Sequence, residues 1–246
     1  MHSIIKLAPM VIALSIGLAG CAGMNEVDAI KLSSNKSVTV VYPGKTSYGA
    51  GAASAPLIIP GGIVAALITG AATGAANASA SNTNKKAETF DELVAEKVGD
   101  TNLNRQFTGG VEDSLRDHGY VVNEVSADAP TLPTFTRDKH TQWQAEGQAY
   151  RDSDAVLIIK VSPGYQAPGP LNSYSRMIVG EIVMFKGDTH EAVLRRRLYW
   201  QKFTDPYSYG TYAFIKDLPH AIKGLDEAEL AQVDTFDKAL TAVQQH

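Results

Sequence analysis

The chain has 246 residues with 22 basic and 26 acidic side chains, a formal net charge of −4, and a single cysteine. That balance, with Lys and Arg scattered along the chain, argues against a nucleic-acid-binding surface. One thiol allows no internal disulfide and no cysteine-based metal site, so stability has to come from a core, for which the length is ample.

The first segment carries the most information. Lys6, an apolar run from Leu7 to Leu18, and the small pair Ala19-Gly20 follow the order of an export signal and end at Cys21. The run is shorter than the roughly 20 residues that span a bilayer, and Pro9 interrupts its start, which favours a cleaved signal over a retained anchor. Leu18-Ala19-Gly20-Cys21 resembles the lipobox of bacterial lipoproteins. The resemblance implies removal of residues 1–20, a diacylglyceryl thioether on Cys21, and acylation, of the palmitate class, at its new amino group. In that family an aspartate after the cysteine marks inner-membrane retention. Ala22 stands there instead, which implies the outer membrane, with the protein facing the periplasm. Each buried methylene contributes about 0.8 kcal/mol, so two or three acyl chains hold a protein on a membrane where one does so only marginally.

Residues 21–48 read as an anchor-proximal segment. Residues 49–84 follow as a Gly/Ala-rich apolar helix or linker without a single charge. Within it Gly62, Ala66, Gly70, Gly74 and Ala78 recur every fourth residue, which on a helix makes a ridge free of side-chain bulk and suited to close packing. Glycine costs about 0.8 to 1 kcal/mol per position relative to alanine in a solvated helix, so the helix needs a partner. Three forms stay open: a membrane-inserted or self-associating glycine zipper, a helix packed on the chain's own domain, and a flexible tether.

From residue 85 to 246 the composition is that of a folded periplasmic domain. Phe90, Leu93, Val94 and Val98 predict a short helix, and Asp100-Thr101 can cap a second one whose Leu103, Phe107, Val111 and Leu115 share a face. Gly119 ends it, and Tyr120 to Val125 reads as a strand. Lys139 to Tyr150 suggests a helix carrying Trp143. Ala155 to Val161 has the uniform apolar character of a central strand covered on both faces, ended by Pro163-Gly164. Arg176 to Phe185 and Glu191 to Phe203 read as a hairpin, with Gly187 taking a positive φ in the turn. A helix from Ala228 to Gln244 closes the chain with the stripe Leu230, Val233, Phe236, Leu240 and Val243. The expected fold class is α+β, a mixed or antiparallel sheet with packed helices, preceded by the small-residue helix. In the order of its elements, and in the stretch from Phe107 to Tyr120, the domain is similar to small periplasmic domains of other envelope lipoproteins, including activators of peptidoglycan synthases and subunits of secretion pores. No binding residue is carried over from them.

The search for chemistry yields no catalytic residue, metal site or cofactor site. His118, His140, His190 and His220 form no HxxxH or HExxH pair, and there is neither a GxSxG elbow nor a phosphate-binding loop. His118 suits a helix C-terminus. Asp152 and Asp154 bracket Ser153 as a DxD pair that can bind a cation but is better explained as turn chemistry. Arg195-Arg196-Arg197, with Tyr199, Trp200 and Lys202, can grip anionic head groups or pair with carboxylates across the hairpin, and on a strand only alternate members share a face. Tyr207, Tyr209, Tyr212 and Phe214 form an aromatic loop that either binds a partner or folds back. The function expected is a non-catalytic outer-membrane lipoprotein that binds or assembles with an envelope protein or cell-wall component, with self-association through the ridge. The alternative is a lipid-anchored hydrolase or transferase acting on cell-wall substrates.

Overall fold

The computed structural model describes residues 25–27, 29–52, 57–59, 62–64, 89–168, 172–210 and 213–244. In chain order the first elements are β1 (Asn25–Val27), α1 (Ala29–Ser34), β2 (Ser37–Tyr42), β3 (Gly49–Ala52), β4 (Leu57–Ile59) and β5 (Gly62–Val64). Next come α2 (Phe90–Lys97), α3 (Leu103–Asp117), β6 (Val121–Ser126), β7 (Thr134–Arg137) and β8 (Trp143–Glu146). The long strands β9 (Ala155–Ala167), β10 (Ser175–Lys186) and β11 (Ala192–Lys202) precede α4 (Ala213–Lys216), α5 (Leu218–Leu230) and α6 (Val233–Gln244).

The chain is α+β, built on a seven-stranded mixed sheet of order β1-β11-β10-β9-β2-β6, with β3 paired to the far half of β9. β9 is the hub. It runs antiparallel to β10, parallel to β2 over its first residues and parallel to β3 over its last. The strand does not stop at Pro163-Gly164, as the sequence suggests. Its pairing with β2 ends at Ile158 and that with β3 begins at Gly164, so Pro163 falls in the gap, where a missing N–H costs no parallel ladder bond. Gly164 is required for another reason, since a Cβ there would lie 2.5 Å from the Gly49 carbonyl oxygen.

Alternation along β9 divides the core. Ala155, Leu157 and Ile159 face a helical layer and join Phe107, Val111 and Leu115 of α3 and Phe236 and Leu240 of α6. Val156 and Ile158 face the other way and are covered by Trp143, Ala145 and Tyr150. A third cluster fills the far end of the sheet, where Tyr165, Tyr174, Phe90 and Phe214 meet Leu218, Ile222 and Leu225 of α5. Tyr165 stacks on Phe214 at 5.0 Å and Phe90 meets it edge-on at 5.4 Å, contacts worth about 0.5 to 1.5 kcal/mol each beyond burial.

Five further expectations need correction. The stretch from Lys139 to Tyr150 holds the turn and second strand of the β7–β8 hairpin, because alternation buries Trp143 and Ala145 on one side, and Gly147 takes φ +106. The last helix is two helices broken at Ala231-Gln232. α5 covers the aromatic end cluster while α6 packs on α3, and one straight rod cannot cover both. Gly110 lets α3 and α6 approach, since its Cβ would stand 2.9 Å from Val233. In the turn after β10 the positive φ falls on His190, whereas Gly187 is needed because a Cβ would meet the Tyr150 carbonyl oxygen at 2.6 Å. Finally, β2 and β3 belong to the main sheet, so the folded unit begins well before residue 85. Within 49–84, expected as a small-residue helix or linker, β3, β4 and β5 are strands, and β4 and β5 pair antiparallel with Gly62 opposite Ile59. The rest of that ridge, Ala66, Gly70, Gly74 and Ala78, lies outside the described residues.

Candidate functional site

The face of the sheet opposite the helices changes character along the strands. Lys160, Glu181 and Arg197 stand opposite one another on β9, β10 and β11, and Arg195, two residues before Arg197, shares their face. The β7–β8 hairpin lays Trp143 and Arg137 beside them. The Arg137 guanidinium lies 4.5 Å from the centre of the Trp143 ring, the Lys160 ammonium 5.6 Å from it, and Arg195 donates from Nη2 to the Trp143 carbonyl at 2.8 Å. Arg195 and Glu181 are both buried, 3.8 Å apart.

Four cations thus surround one carboxylate. Burial raises the Glu181 carboxyl above its ordinary range, against the pull of Arg137, Arg195 and Arg197. Burial, reinforced by the like charge of Arg137, pushes the Lys160 ammonium down. Arg137 is also pushed down by burial, with Glu181 pulling against it. Two donors here, Trp143 Nε1 and Arg195 Nη1, are buried without a hydrogen bond, while Arg137 donates to the Thr141 carbonyl. The Arg195-Arg196-Arg197 triplet is split by strand alternation. Arg196 pairs opposite Ile182 on the helical side, and Arg195 meets the carboxylate of Glu181 across the hairpin. Lys160 and Arg137 were not singled out from the sequence. Lys160 was legible as a lone charge within an otherwise apolar β-branched strand, whereas Arg137 carries no local signal.

A second polar group lies under α5. Glu229 is fully buried with neither carboxylate oxygen hydrogen-bonded, and burial, then the charge of Asp226, raise it to about 8. One turn away, Asp226 accepts from the Tyr48 hydroxyl at 2.9 Å, and that hydroxyl is 2.6 Å from Thr101 Oγ1. Burial raises Asp226 as well, and the Tyr48 hydrogen bond opposes the rise. At neutral pH Glu229 is therefore mostly an uncharged acid in an apolar setting.

The remaining sequence candidates are engaged in structural contacts. His118 Nδ1 sits 2.8 Å from the Ser114 carbonyl oxygen and its Nε2 3.2 Å from Thr241 Oγ1, tying the end of α3 to α6. A cleft of about 220 Å³ beside it is lined by Ser33, Asn35, Lys36 and Tyr120 among others. Asp154 Oδ2 accepts from the backbone N–H groups of Lys36 and Ser37 at 2.7 and 2.9 Å, which hold the carboxyl below its usual range and fix the start of β2. His140 sits at an exposed turn, the half-buried His190 has its Nε2 3.1 Å from the Gln148 carbonyl oxygen, and His220 is 2.8 Å from the Tyr209 hydroxyl. The aromatic loop folds back: Phe214 is in the core, Tyr209 meets Tyr165 edge-on at 5.6 Å, and Tyr207 covers Arg176 at 4.3 Å. Arg176 in turn pairs with Asp205 and donates to the Gly224 carbonyl at 2.6 Å. Tyr212 and the lipobox at Cys21 lie outside the described residues.

Among the described residues no group of three or more His, Cys, Asp or Glu is placed to hold a metal ion, and no helix is long and apolar enough to cross a membrane. Compared with protein-family models the chain matches none, and compared with curated proteins it also matches none.

Proposed function

We propose that the chain is an outer-membrane lipoprotein, tethered by acyl chains on Cys21, whose periplasmic domain binds another component of the cell envelope without catalysing a reaction. The observation that carries the reading is the order Lys6, apolar Leu7 to Leu18, small Ala19-Gly20, then the only cysteine of the chain. Binding is favoured for the domain because His118, Asp154 and Arg176 serve contacts within the fold, while the face around Lys160 holds more donors than it uses. Self-association through Ala66, Gly70, Gly74 and Ala78 belongs to the same proposal.

A photo-crosslinking side chain at Tyr199, on the charged face, tests the binding in intact envelopes. Val121 is the control, since the two residues are equally exposed, at 62% and 63%, on different strands. An adduct with a second envelope component from position 199 and not from 121 is the expected result. Only uncrosslinked chain from both positions contradicts it. In parallel, Cys21→Ser is expected to accumulate as an unprocessed or soluble precursor; unchanged membrane fractionation contradicts the anchor.

A further inference from the structure

We infer that the outer end of β11, where Tyr199 and Phe203 project beside Arg197 and Lys202, is a docking surface for the membrane that holds the lipid anchor. The inference deepens the reading of the chain as a tethered binding module: it rests on the anchor at Cys21 and names the phospholipid surface as the component that this end of the sheet meets.

Two independent observations converge there. The first is exposure. Among the described residues the large hydrophobic side chains left in solvent are Val121, Tyr199 and Phe203, and two of the three are aromatics at the close of one strand. A single exposed apolar residue such as Val121 is ordinary on a protein surface, whereas an aromatic pair flanked by exposed cations has the composition of a membrane interface. The second is the tether. β1 is antiparallel to β11, with Val27 opposite Leu194 and Asn25 opposite Arg196, so the chain enters the sheet from the Tyr199 end. Cys21 precedes Asn25 by four residues, a span of at most about 14 Å, and Tyr199 lies about 10 Å beyond Arg196 along the strand. The acyl chains thus bring the bilayer to the end of the molecule that carries the aromatic pair. A tether this short keeps the lipid surface at a high effective concentration, so two aromatic side chains suffice for docking that they would not sustain alone.

Backbone and charge set the depth. β1 pairs with β11 only as far as Arg196, and no described strand lies beside the outer edge from Arg197 to Lys202. Unpaired backbone groups are costly in hydrocarbon, which keeps this edge at the level of the head groups, where water and phosphate oxygens satisfy them. The neighbouring acids do not oppose such contact: Glu26 stands opposite Arg195, Glu181 opposite Arg197, and Asp205 pairs with Arg176.

Cys21 is the only cysteine, so its lipidation leaves an introduced thiol as the sole labelling site. The mature lipidated chain carrying Tyr199→Cys, Phe203→Cys or, as control, Val121→Cys is labelled with an environment-sensitive fluorophore. Val121 serves because β6 is at the far edge of the sheet. Each protein is reconstituted into vesicles of phosphatidylethanolamine and phosphatidylglycerol, with and without brominated acyl chains. Quenching by brominated lipid should be about threefold or more stronger at 199 and 203 than at 121, since apolar groups docked at an interface lie about 5–10 Å into the head-group boundary. In the Phe203→Cys protein, Tyr199→Ser should lower that quenching, while Val121→Ser leaves it unchanged. Equal quenching at all three positions overturns the proposal. So does blue-shifted emission at 199 and 203 without quenching, which marks a protein surface, a second copy of this chain included, as the occupant. Mass spectrometry of the same sample separates the two readings: acyl chains on Cys21 without the difference in quenching overturn the docking alone, and a free thiol there overturns the anchor together with the docking that rests on it.

Discussion

The two faces of the central strands are made from the same backbone and hold together by different means. On the helical side Leu157 and Ile159 meet Phe107, Val111 and Phe236, all buried, and stability there is a matter of apolar area and close packing. On the other side Val156 and Ile158 begin the same way, but the next residue on that face is Lys160, and cover is provided by a hairpin of two four-residue strands. Packing gives way to charge within one residue pair of the strand. The difference teaches where to look for function: a sheet can be sealed by helices on one face and still keep, under a short hairpin, groups that the fold leaves incompletely satisfied.

The contrast can be broken first on the apolar side. Phe107→Ala is expected to cost about 3 to 5 kcal/mol in denaturant unfolding, independent of salt concentration, because it removes a fully buried ring. The helical layer also buries polar side chains, Glu112 and Glu229 among them, and pH probes Glu229. Its acid is raised in the folded state to about 8 from 4.5, so the folded form binds the proton more tightly than the unfolded form. Stability is fully present below about pH 4.5, falls as pH rises towards 8, and stays lost above it, by on the order of a few kcal/mol. Glu229→Gln should flatten that slope and exceed the parent in stability at alkaline pH, as read from thermal melts across the range; an unchanged slope would place the titration elsewhere. On the charged side Glu181→Gln takes from Arg195 the carboxylate 3.8 Å away and should cost on the order of 2 to 4 kcal/mol, partly restored by added salt, unlike Phe107→Ala. The smallest effect belongs to Thr89, which accepts from the Glu92 N–H in a capping box at the start of α2, and Thr89→Ala should cost about 1 kcal/mol.

Elements with a strong local period were legible in the sequence. The stripe of α3, the two-face burial of the first half of β9 and the β10–β11 pairing follow from residue spacing alone, and the helical and sheet composition fits the expected class. What was hidden depends on distant partners. Nothing near Pro163 announces that two different strands flank β9 with a gap at that residue. Trp143 and Ala145 alternate over only four residues, too short a run to outweigh the helical look of their neighbours. The break at Ala231-Gln232 has no Gly or Pro to mark it and follows from the placement of two separate clusters. The charged face was half visible, since the Arg triplet drew notice from the sequence, while Lys160 and Arg137 join it only through the cross-strand register and the hairpin's fold.

The reading of this chain as an envelope lipoprotein turns on the chemistry of one sulfur. Mass spectrometry of the amino-terminal peptide from membrane-extracted protein is the most direct test. The account predicts a chain that begins at residue 21 with a diacylglyceryl group on Cys21 and an acylated amino group. An intact amino terminus at Met1, with a free thiol on Cys21, contradicts it.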